Sequence, residues 1–254
     1  MRTHLILVVL FAFLSFEGLS QTNALFENAT TAYNQGEYQK AIEFYEAILE
    51  KGEHSAELYF NLGNSYYKLN EIGFSIYFYE KALLLAPHDQ EIKNNLNYAM
   101  NMRLDAIDEM PKTVMDKVRN AVMSALTIDQ WAYLSIVLLF LFVIFFIVYS
   151  ISNAVSSKRI AFIIANTALL LSVLSVVMGY WADHYENSQR PAIIFDREVL
   201  VTSEPNERSE KVFTLHEGTK VYILESLEDW NKIKIADGQT GWTPAESMKL
   251  IKEF

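Results

Sequence analysis

The residues of this chain that could carry out chemistry are few and far apart. The 254-residue sequence has no cysteine, which excludes disulfides, thiol catalysis, cysteine-bound zinc and iron–sulfur clusters. It contains no nucleophile elbow, phosphate loop, dinucleotide-binding fingerprint or zinc-protease motif. The histidines do not pair at metal-ligand spacing; they are His4, His54, His88, His184 and His216. The sequence therefore predicts a protein that is not an enzyme and that needs no metal or cofactor.

The overall charge favours proteins and membranes over nucleic acids as partners. The net charge is −10, which argues against nucleic-acid binding because that requires a basic surface. Apolar residues make up 51% of the chain and charged residues 20%, both close to the averages for soluble proteins. The apolar residues are unevenly distributed, however, and their distribution predicts separate domains.

The N-terminus has the pattern of an export signal. Arg2 supplies a positive start, Leu5–Phe16 is uncharged and apolar except for Ser15, and Gly18 and Ser20 precede a cleavage point before Gln21. This pattern predicts a signal peptide over residues 1–20 that is cleaved, with an uncleaved membrane anchor as the alternative. In both cases the following segment is expected outside the cytoplasm.

Two later segments are long and apolar enough to cross a bilayer. They predict an α-helical transmembrane hairpin with spans at 131–151 and 160–181 and a cytoplasmic loop at 152–159. Lys158 and Arg159 are the only charges of this loop, and positive loops stay in the cytoplasm. Both flanking blocks are then expected on the outer side, in agreement with the export signal.

Residues 21–107 predict an all-α array. Residues 56–89 resemble the tetratricopeptide repeat, in which large, small and aromatic residues recur at fixed positions. The matching positions are Tyr59, Leu62, Gly63, Tyr66, Ser75, Tyr79, Ala82 and Pro87. An offset of 34 residues indicates a weaker first repeat over 22–55, and a capping helix is expected from Asp89 to about Ala106.

The resemblance to this family also implies where a partner binds. Its ligands lie on the concave face, which the first helix of each repeat lines. The residues that map there and are assigned to partner binding are Phe26, Thr30, Tyr33, Phe60, Asn64, Tyr67 and Lys68. Phe26 and Thr30 stand where some relatives carry the lysine and asparagine that grip a C-terminal carboxylate, so that mode is not expected here.

Residues 108–130 predict an amphipathic connector. Val114, Val118 and Val122 recur at helical spacing after Pro111. The segment is either a helix on the membrane surface or a short coupling helix without lipid contact.

In the C-terminal block, residues 191–254, apolar residues recur with a period of two, which is typical of strands. Alternation at 199–201, 220–224 and 230–235, separated by turn residues, predicts an all-β SH3-like barrel of short strands. The Leu215–Val221 segment and the Gly-Trp-Thr-Pro run at 241–244 resemble the bacterial SH3 family.

A peptide groove is the functional expectation for this block. Trp230, Trp242 and Pro244 are the residues assigned to it, because SH3 domains grip peptides between aromatic residues and a proline. In the alternative interpretation, Trp242 plugs the end of the barrel and has only a structural role.

The order of signal, tetratricopeptide array, two-span hairpin and SH3-like barrel resembles the BatE proteins of the Bacteroides aerotolerance cluster. Thr127–Ala132, before the first span, adds to the likeness. The resemblance implies a multidomain inner-membrane protein with both large domains periplasmic. It also implies von Willebrand A-domain membrane proteins and a MoxR-type ATPase as partners in oxidative or envelope stress. We therefore expect a non-enzymatic scaffold; the alternative is a sensor or anchor that binds peptidoglycan peptides through the barrel.

Overall fold

The computed structural model describes residues 22–107, 110, 111, 113–115, 117, 121, 125–188 and 190–252. The chain divides into two compact units. The first combines residues 1–109 with residues 190–254, and the second is residues 110–189. The expected signal peptide lies outside the described residues, and so does much of the expected connector.

Residues 22–100 form a helical module. Its helices are α1 (22–34), α2 (Tyr38–Leu49), α3 (Ala56–Lys68), α4 (Ile72–Leu85) and α5 (Gln90–Met100). Two of the helices begin at side-chain caps, since Ser55 Oγ accepts from Leu58 N–H at 3.1 Å and Asp89 Oδ1 accepts from Glu91 N–H at 2.8 Å. Each helix packs on the next, so the small apolar faces combine into one core.

Residues 190–252 form a sheet module, in which seven antiparallel strands have the order β3-β2-β6-β5-β4-β1-β7. The strands are β1 (Pro191–Ile194), β2 (Glu198–Thr202), β3 (Lys211–His216), β4 (Lys220–Leu227), β5 (Trp230–Lys234), β6 (Thr240–Pro244) and β7 (Met248–Leu250). Val201, Val221 and Ile233 are fully buried in its core. The alternation seen in the sequence places these residues on the inner face.

A joining face connects the two modules within the first unit. We use this name for the surface where Phe74 and Tyr77 of α4 pack on Phe195, together with Ile193 and Ile251, which belong to the same core cluster. Along β1, Ala192 and Ile194 face the core of the sheet module, whereas Ile193 is fully buried in the core of the helical module. The strand therefore has two buried faces, as in a strand that lies between two layers.

Aromatic rings and a glycine bring the two modules close together. Phe195 packs edge-on against Phe74 and Tyr77, with ring centroids at 4.7 and 5.5 Å. Gly218 has a φ of +81°, and a Cβ there would lie 3.0 Å from Ile76 Cδ1. The Leu215–Val221 motif therefore needs glycine both for its turn and for its approach to α4.

Hydrogen bonds from His216 and Thr219 to Asp105 also join the two modules, and we call this group the polar clasp. The carboxylate of Asp105 accepts hydrogen bonds from His216 N–H at 2.7 Å, from His216 Nδ1–H at 2.7 Å and from Thr219 Oγ1–H at 2.6 Å. Burial alone would raise the pKa of Asp105, but the hydrogen bonds from Thr219 and His216 outweigh it, so the pKa lies below its usual value. A second pair joins Lys220 Nζ to Glu80 Oε2 at 2.7 Å.

The second unit contains the hairpin of α6 (Ile128–Ile151) and α7 (Val155–Ser188). Thr127 and Gln130 form a capping box at the start of α6, which gives the Thr127–Ala132 run a structural reason. α7 begins at Val155, so Lys158 and Arg159 lie on its first turns and residues 152–154 separate the two helices. The cytoplasmic loop at 152–159 stays a prediction.

Small residues on α7 allow the two helices of the hairpin to approach closely. Buried positions recur at alternating intervals of four and three at Ala161, Ala165, Ala168, Ser172 and Ser175, and Ala182 follows two turns later. Ser172 Oγ donates to Ser135 O and Ser175 Oγ to Trp131 O, both at 2.9 Å. This is the packing expected where lipid removes the hydrophobic drive between helices.

The outer faces of the hairpin are apolar and exposed. Phe140 is 66% exposed and Leu170 is 61% exposed. Both helices are long and apolar enough to span a bilayer, which indicates a membrane protein.

Candidate protein-interaction site

A groove of about 320 Å³ lies on the helical module and contains four of the seven residues expected on its concave face. These are Tyr33 at the end of α1 and Asn64, Tyr67 and Lys68 on α3. The groove is completed by Tyr79 on α4 and by Glu91, Asn95 and Tyr98 on α5. First helices of successive pairs line it because they stack side by side.

The other three expected residues are not in this groove. Phe26 lines a separate cavity beside the start of α1, where its ring packs edge-on against Tyr45 at 5.5 Å. Thr30 Oγ1 donates to Phe26 O at 3.0 Å, as helix threonines commonly do. The half-buried ring of Phe60 packs on the Tyr79 ring at 5.9 Å. Phe60 therefore contributes to the packing of α3 on α4.

Asn64 is held in one orientation by two donors. Tyr79 Oη donates to Asn64 Oδ1 at 2.6 Å, and Asn95 Nδ2 donates to the same oxygen at 3.0 Å. Burial raises the pKa of Tyr79, so its hydroxyl keeps the proton that it donates. With Oδ1 occupied, Asn64 Nδ2 remains as a donor, and no acceptor for it is found among the described residues.

The structure adds residues that the sequence pattern had not assigned. Glu91 and Tyr98 follow Glu57 and Asn64 by 34 residues, so continuing the repeat offset into the capping helix would have placed them on the concave face. The repeat pattern includes Tyr79 among its matching positions but does not assign it to partner binding. Its hydroxyl function depends on a contact across 15 residues, which no local pattern indicates.

The chemistry of the groove suits an extended polypeptide. Asn64 offers a fixed amide donor to a backbone carbonyl, and Tyr67 and exposed Tyr98 offer aromatic surface to side chains. Lys68 and Glu91 place one charge of each sign in the groove.

The three residues assigned to the peptide groove of the sheet module share one face of β5 and β6. Trp230 lies opposite Pro244, and Trp242 lies opposite Lys232, whose ammonium is 5.9 Å from the centroid of the Trp242 ring. Trp230 and Pro244 are half-buried, but Trp242 is only 9% exposed. The burial of Trp242 favours the structural interpretation for this residue.

Packing also explains the Gly-Trp-Thr-Pro run. A Cβ at Gly241 would lie 2.5 Å from Val201 Cγ1 and 2.9 Å from Thr202 O, so β6 can lie this close to β2 only with glycine there. Thr202 Oγ1 is 3.2 Å from Trp242 O, to which it donates. The motif thus supports the antiparallel pairing of β2 with β6.

A metal centre is not evident in the part of the chain that the structure describes. Within it, no group of three or more histidine, aspartate or glutamate side chains could hold a metal ion. The clasp around Asp105 contains donors that already satisfy the carboxylate.

Comparison with known families supports the two modules. The model of the tetratricopeptide repeat matches residues 56–89, and the model of the bacterial SH3 domain matches residues 201–249. No curated protein matches the chain. Tetratricopeptide and SH3-like domains are interaction modules that are typically not catalytic, so the chain carries two modules suited to protein or peptide partners.

Proposed function

We propose that the protein is a non-enzymatic scaffold of a bacterial inner membrane that holds an extended segment of a partner protein in the groove. The observation that carries this proposal is the fixed orientation of Asn64, whose Oδ1 accepts from Tyr79 and Asn95. A donor that is oriented before binding costs less entropy on association than a mobile one.

Both modules are proposed to lie in the periplasm. They belong to one compact unit, although the hairpin separates them in sequence. A chain that leaves a unit and returns to it on the same side of a bilayer must cross the bilayer an even number of times, and two helices can do so. Lys158 and Arg159, near the turn of the hairpin, favour a cytoplasmic position for that turn.

The partners are proposed from the resemblance to BatE proteins. They are von Willebrand A-domain membrane proteins and a MoxR-type ATPase complex that act in aerotolerance or envelope stress. A membrane partner would present its segment at the same surface as the groove. The proposed role is therefore to hold parts of one complex together rather than to transform a substrate.

Co-purification from native membranes tests the scaffold function. The variant is Tyr67→Ala with Lys68→Ala, and the control is Lys51→Ala, an exposed lysine outside the groove. We expect mass spectrometry to show at least a tenfold loss of the partner with the double variant and no loss with the control. Equal recovery from both variants, with unfolding curves like those of the unmodified protein, would contradict the proposal.

A cell-wall sensor is the second candidate, because Trp230, Lys232 and Pro244 form a half-exposed patch on the sheet module. The turn of the hairpin argues against it, since only residues 152–154 separate α6 from α7 and little surface remains for signalling. Titration of the full chain with peptidoglycan peptides distinguishes the two. Binding that Trp230→Ala abolishes would favour the sensor.

A further inference from the structure

One polar side chain of the hairpin lies on a face that nothing in the chain covers. Between Trp131 and Ala182 the sequence has side-chain amides only at Asn153, in the turn, and at Asn166. Asn166 lies six residues beyond Ile160, or about 9 Å into the apolar part of α7 at 1.5 Å per residue. It is exposed in the structure, so in a bilayer it faces hydrocarbon.

The hydrogen bonds of Asn166 are only partly satisfied. Its Nδ2 donates one N–H to Phe162 O at 2.7 Å. The second N–H and the carbonyl oxygen have no partner among the described residues. Hydrocarbon supplies no hydrogen bonds, and an unmet amide costs several kcal/mol there. A partner for this amide within the membrane is therefore strongly favoured.

The surroundings of Asn166 form a regular helix-packing seam. Exposed residues recur at alternating intervals of three and four along α7; they are Ile163, Asn166, Leu170, Val173, Val177 and Tyr180. Val173 is 53% exposed and Tyr180 is 67% exposed. At about 100° per residue, this outer seam lies roughly opposite the small-residue face that contacts α6. The spacing is that of a left-handed helix pair.

We propose that two copies of this chain associate in the membrane along the outer seam of α7, with Asn166 of each copy hydrogen-bonded to Asn166 of the other. An amide both donates and accepts, so it is complementary to itself. Two copies insert with the same orientation, and a two-fold axis along the membrane normal places both amides at the same depth. A single buried asparagine in such a seam also fixes its register.

Charge at the end of the seam is compatible with this pairing. Arg159 lies seven residues before Asn166 and therefore near the same face. It is at the edge of the apolar segment, where lipid phosphates neutralise arginine. The proposal concerns α7 alone and is independent of the proposed function of the groove.

Energy transfer between labelled full-length chains in phosphatidylethanolamine and phosphatidylglycerol vesicles measures the association. The chain has no cysteine, so Asn153→Cys provides a single labelling site. We expect Asn166→Leu to weaken the association about three- to thirtyfold, the range of one interhelical hydrogen bond. Thr167→Val, at the adjacent exposed position, should leave it unchanged. Association that is undetectable in the unmodified sequence, or equal in both variants, overturns the proposal.

Moving the amide along the seam distinguishes hydrogen bonding from changed packing. Val173 is one heptad beyond Asn166, so adding Val173→Asn to Asn166→Leu places the amides of two copies opposite each other again. We expect this double variant to regain at least half of the lost association. Adding Leu171→Asn instead, at an exposed position outside the seam, should restore none. Restoration by both additions, or by neither, contradicts the role assigned to the seam.

Cysteine cross-linking identifies the occupant of the seam. In the otherwise cysteine-free full chain, Val173→Cys should form a disulfide-linked dimer on mild oxidation in native membranes, and Leu171→Cys should not. A dimer of equal yield at both positions, or capture of a different protein at Val173→Cys in place of the dimer, overturns the assignment to a second copy.

Discussion

Two surfaces of the same helical module differ in how far their apolar side chains are buried and their polar groups are hydrogen-bonded. At the joining face, Ile193 and Ile251 are at most 1% exposed, and the carboxylate of Asp105 receives three hydrogen bonds. In the groove, Tyr98 is 63% exposed, and Asn64 retains a donor without an acceptor among the described residues. One surface is completed by the chain itself, whereas the other has the features of a surface that another molecule completes.

The difference explains how so short an array can be stable. Nine of the fourteen residues of α4 are buried, so this helix has no polar face to offer water. The sheet module covers α4 at Phe74 and Tyr77, while α5 packs on another part of the same helix. The groove can therefore stay polar, because the stability of the helical module does not depend on another element packing over the groove.

The largest expected effect is at the joining face. Ile193→Ala removes a fully buried side chain and should lower the free energy of unfolding by about 2–5 kcal/mol. Chemical unfolding of the full chain in mild detergent measures this loss. Leu224→Ala, at a position that is 51% exposed, is the matched control and should cost less than about 1 kcal/mol. Similar losses for the two variants would show that the joining face does not stabilise the unit.

The clasp should contribute the next largest effect. Asp105→Asn removes the charge from three hydrogen bonds and should cost about 1.5–3 kcal/mol near pH 7. Asp196→Asn is the control, because Asp196 is exposed. Equal unfolding free energies for the two variants would contradict a stabilising clasp.

At low pH, the difference in free energy of unfolding between Asp105→Asn and the unmodified protein should disappear. The folded-state pKa of Asp105 is depressed, so its contribution is complete above the unfolded-state pKa, about 3.9. It is lost as the pH falls below that value and through the lower folded-state pKa. Unfolding curves at pH 7 and pH 3 test this sign, and a difference that grows in acid would refute it.

A smaller effect is expected inside the groove. Asn64→Ala leaves the hydroxyl of Tyr79 without its acceptor and should cost about 1–2 kcal/mol. Adding Tyr79→Phe removes the unmet donor, so the double variant should be no less stable than Asn64→Ala alone. Additive losses in this double-mutant cycle would show that the two side chains are not coupled.

The smallest effect on stability should accompany a clear effect on binding. Tyr98→Ala changes an exposed side chain and should alter the unfolding free energy by no more than about 0.5 kcal/mol. Recovery of the partner from native membranes should nevertheless fall severalfold. Leu85→Ala, at a position that is 42% exposed and outside the groove lining, is the control, and a comparable loss of partner with that variant would contradict a role for the groove.

Much of the fold follows from local patterns. Repeat spacing predicted the positions of α3 and α4, apolar length predicted the hairpin, and period-two alternation predicted β2, β4 and β5. These patterns suffice because each reflects one face of one element. Pro191–Ile194 is different, since four apolar residues do not reveal that Ile193 faces helices while its neighbours face the sheet core.

Local sequence patterns could not predict the joining face. The contact between Asp105 and His216 spans 111 residues, with the hairpin between them. The sequence predicted two large domains on one membrane hairpin, and the structure places the helical and sheet modules in one compact unit. In the groove, Tyr33, Asn64, Tyr67 and Lys68 were accessible to repeat spacing, whereas the hydroxyl of Tyr79 became part of the site only through a tertiary contact.

The joining face also sets an order of events during synthesis. The helical module leaves the ribosome first, and its contact from Glu80 to Lys220 must wait for 140 further residues that include both spans. Until then Phe74 and Tyr77 of α4 have no cover from the sheet module. A chain that stops after the hairpin therefore displays an apolar surface to proteases and chaperones. Completion of the C-terminus conceals this surface, so the fold itself distinguishes finished chains from truncated ones.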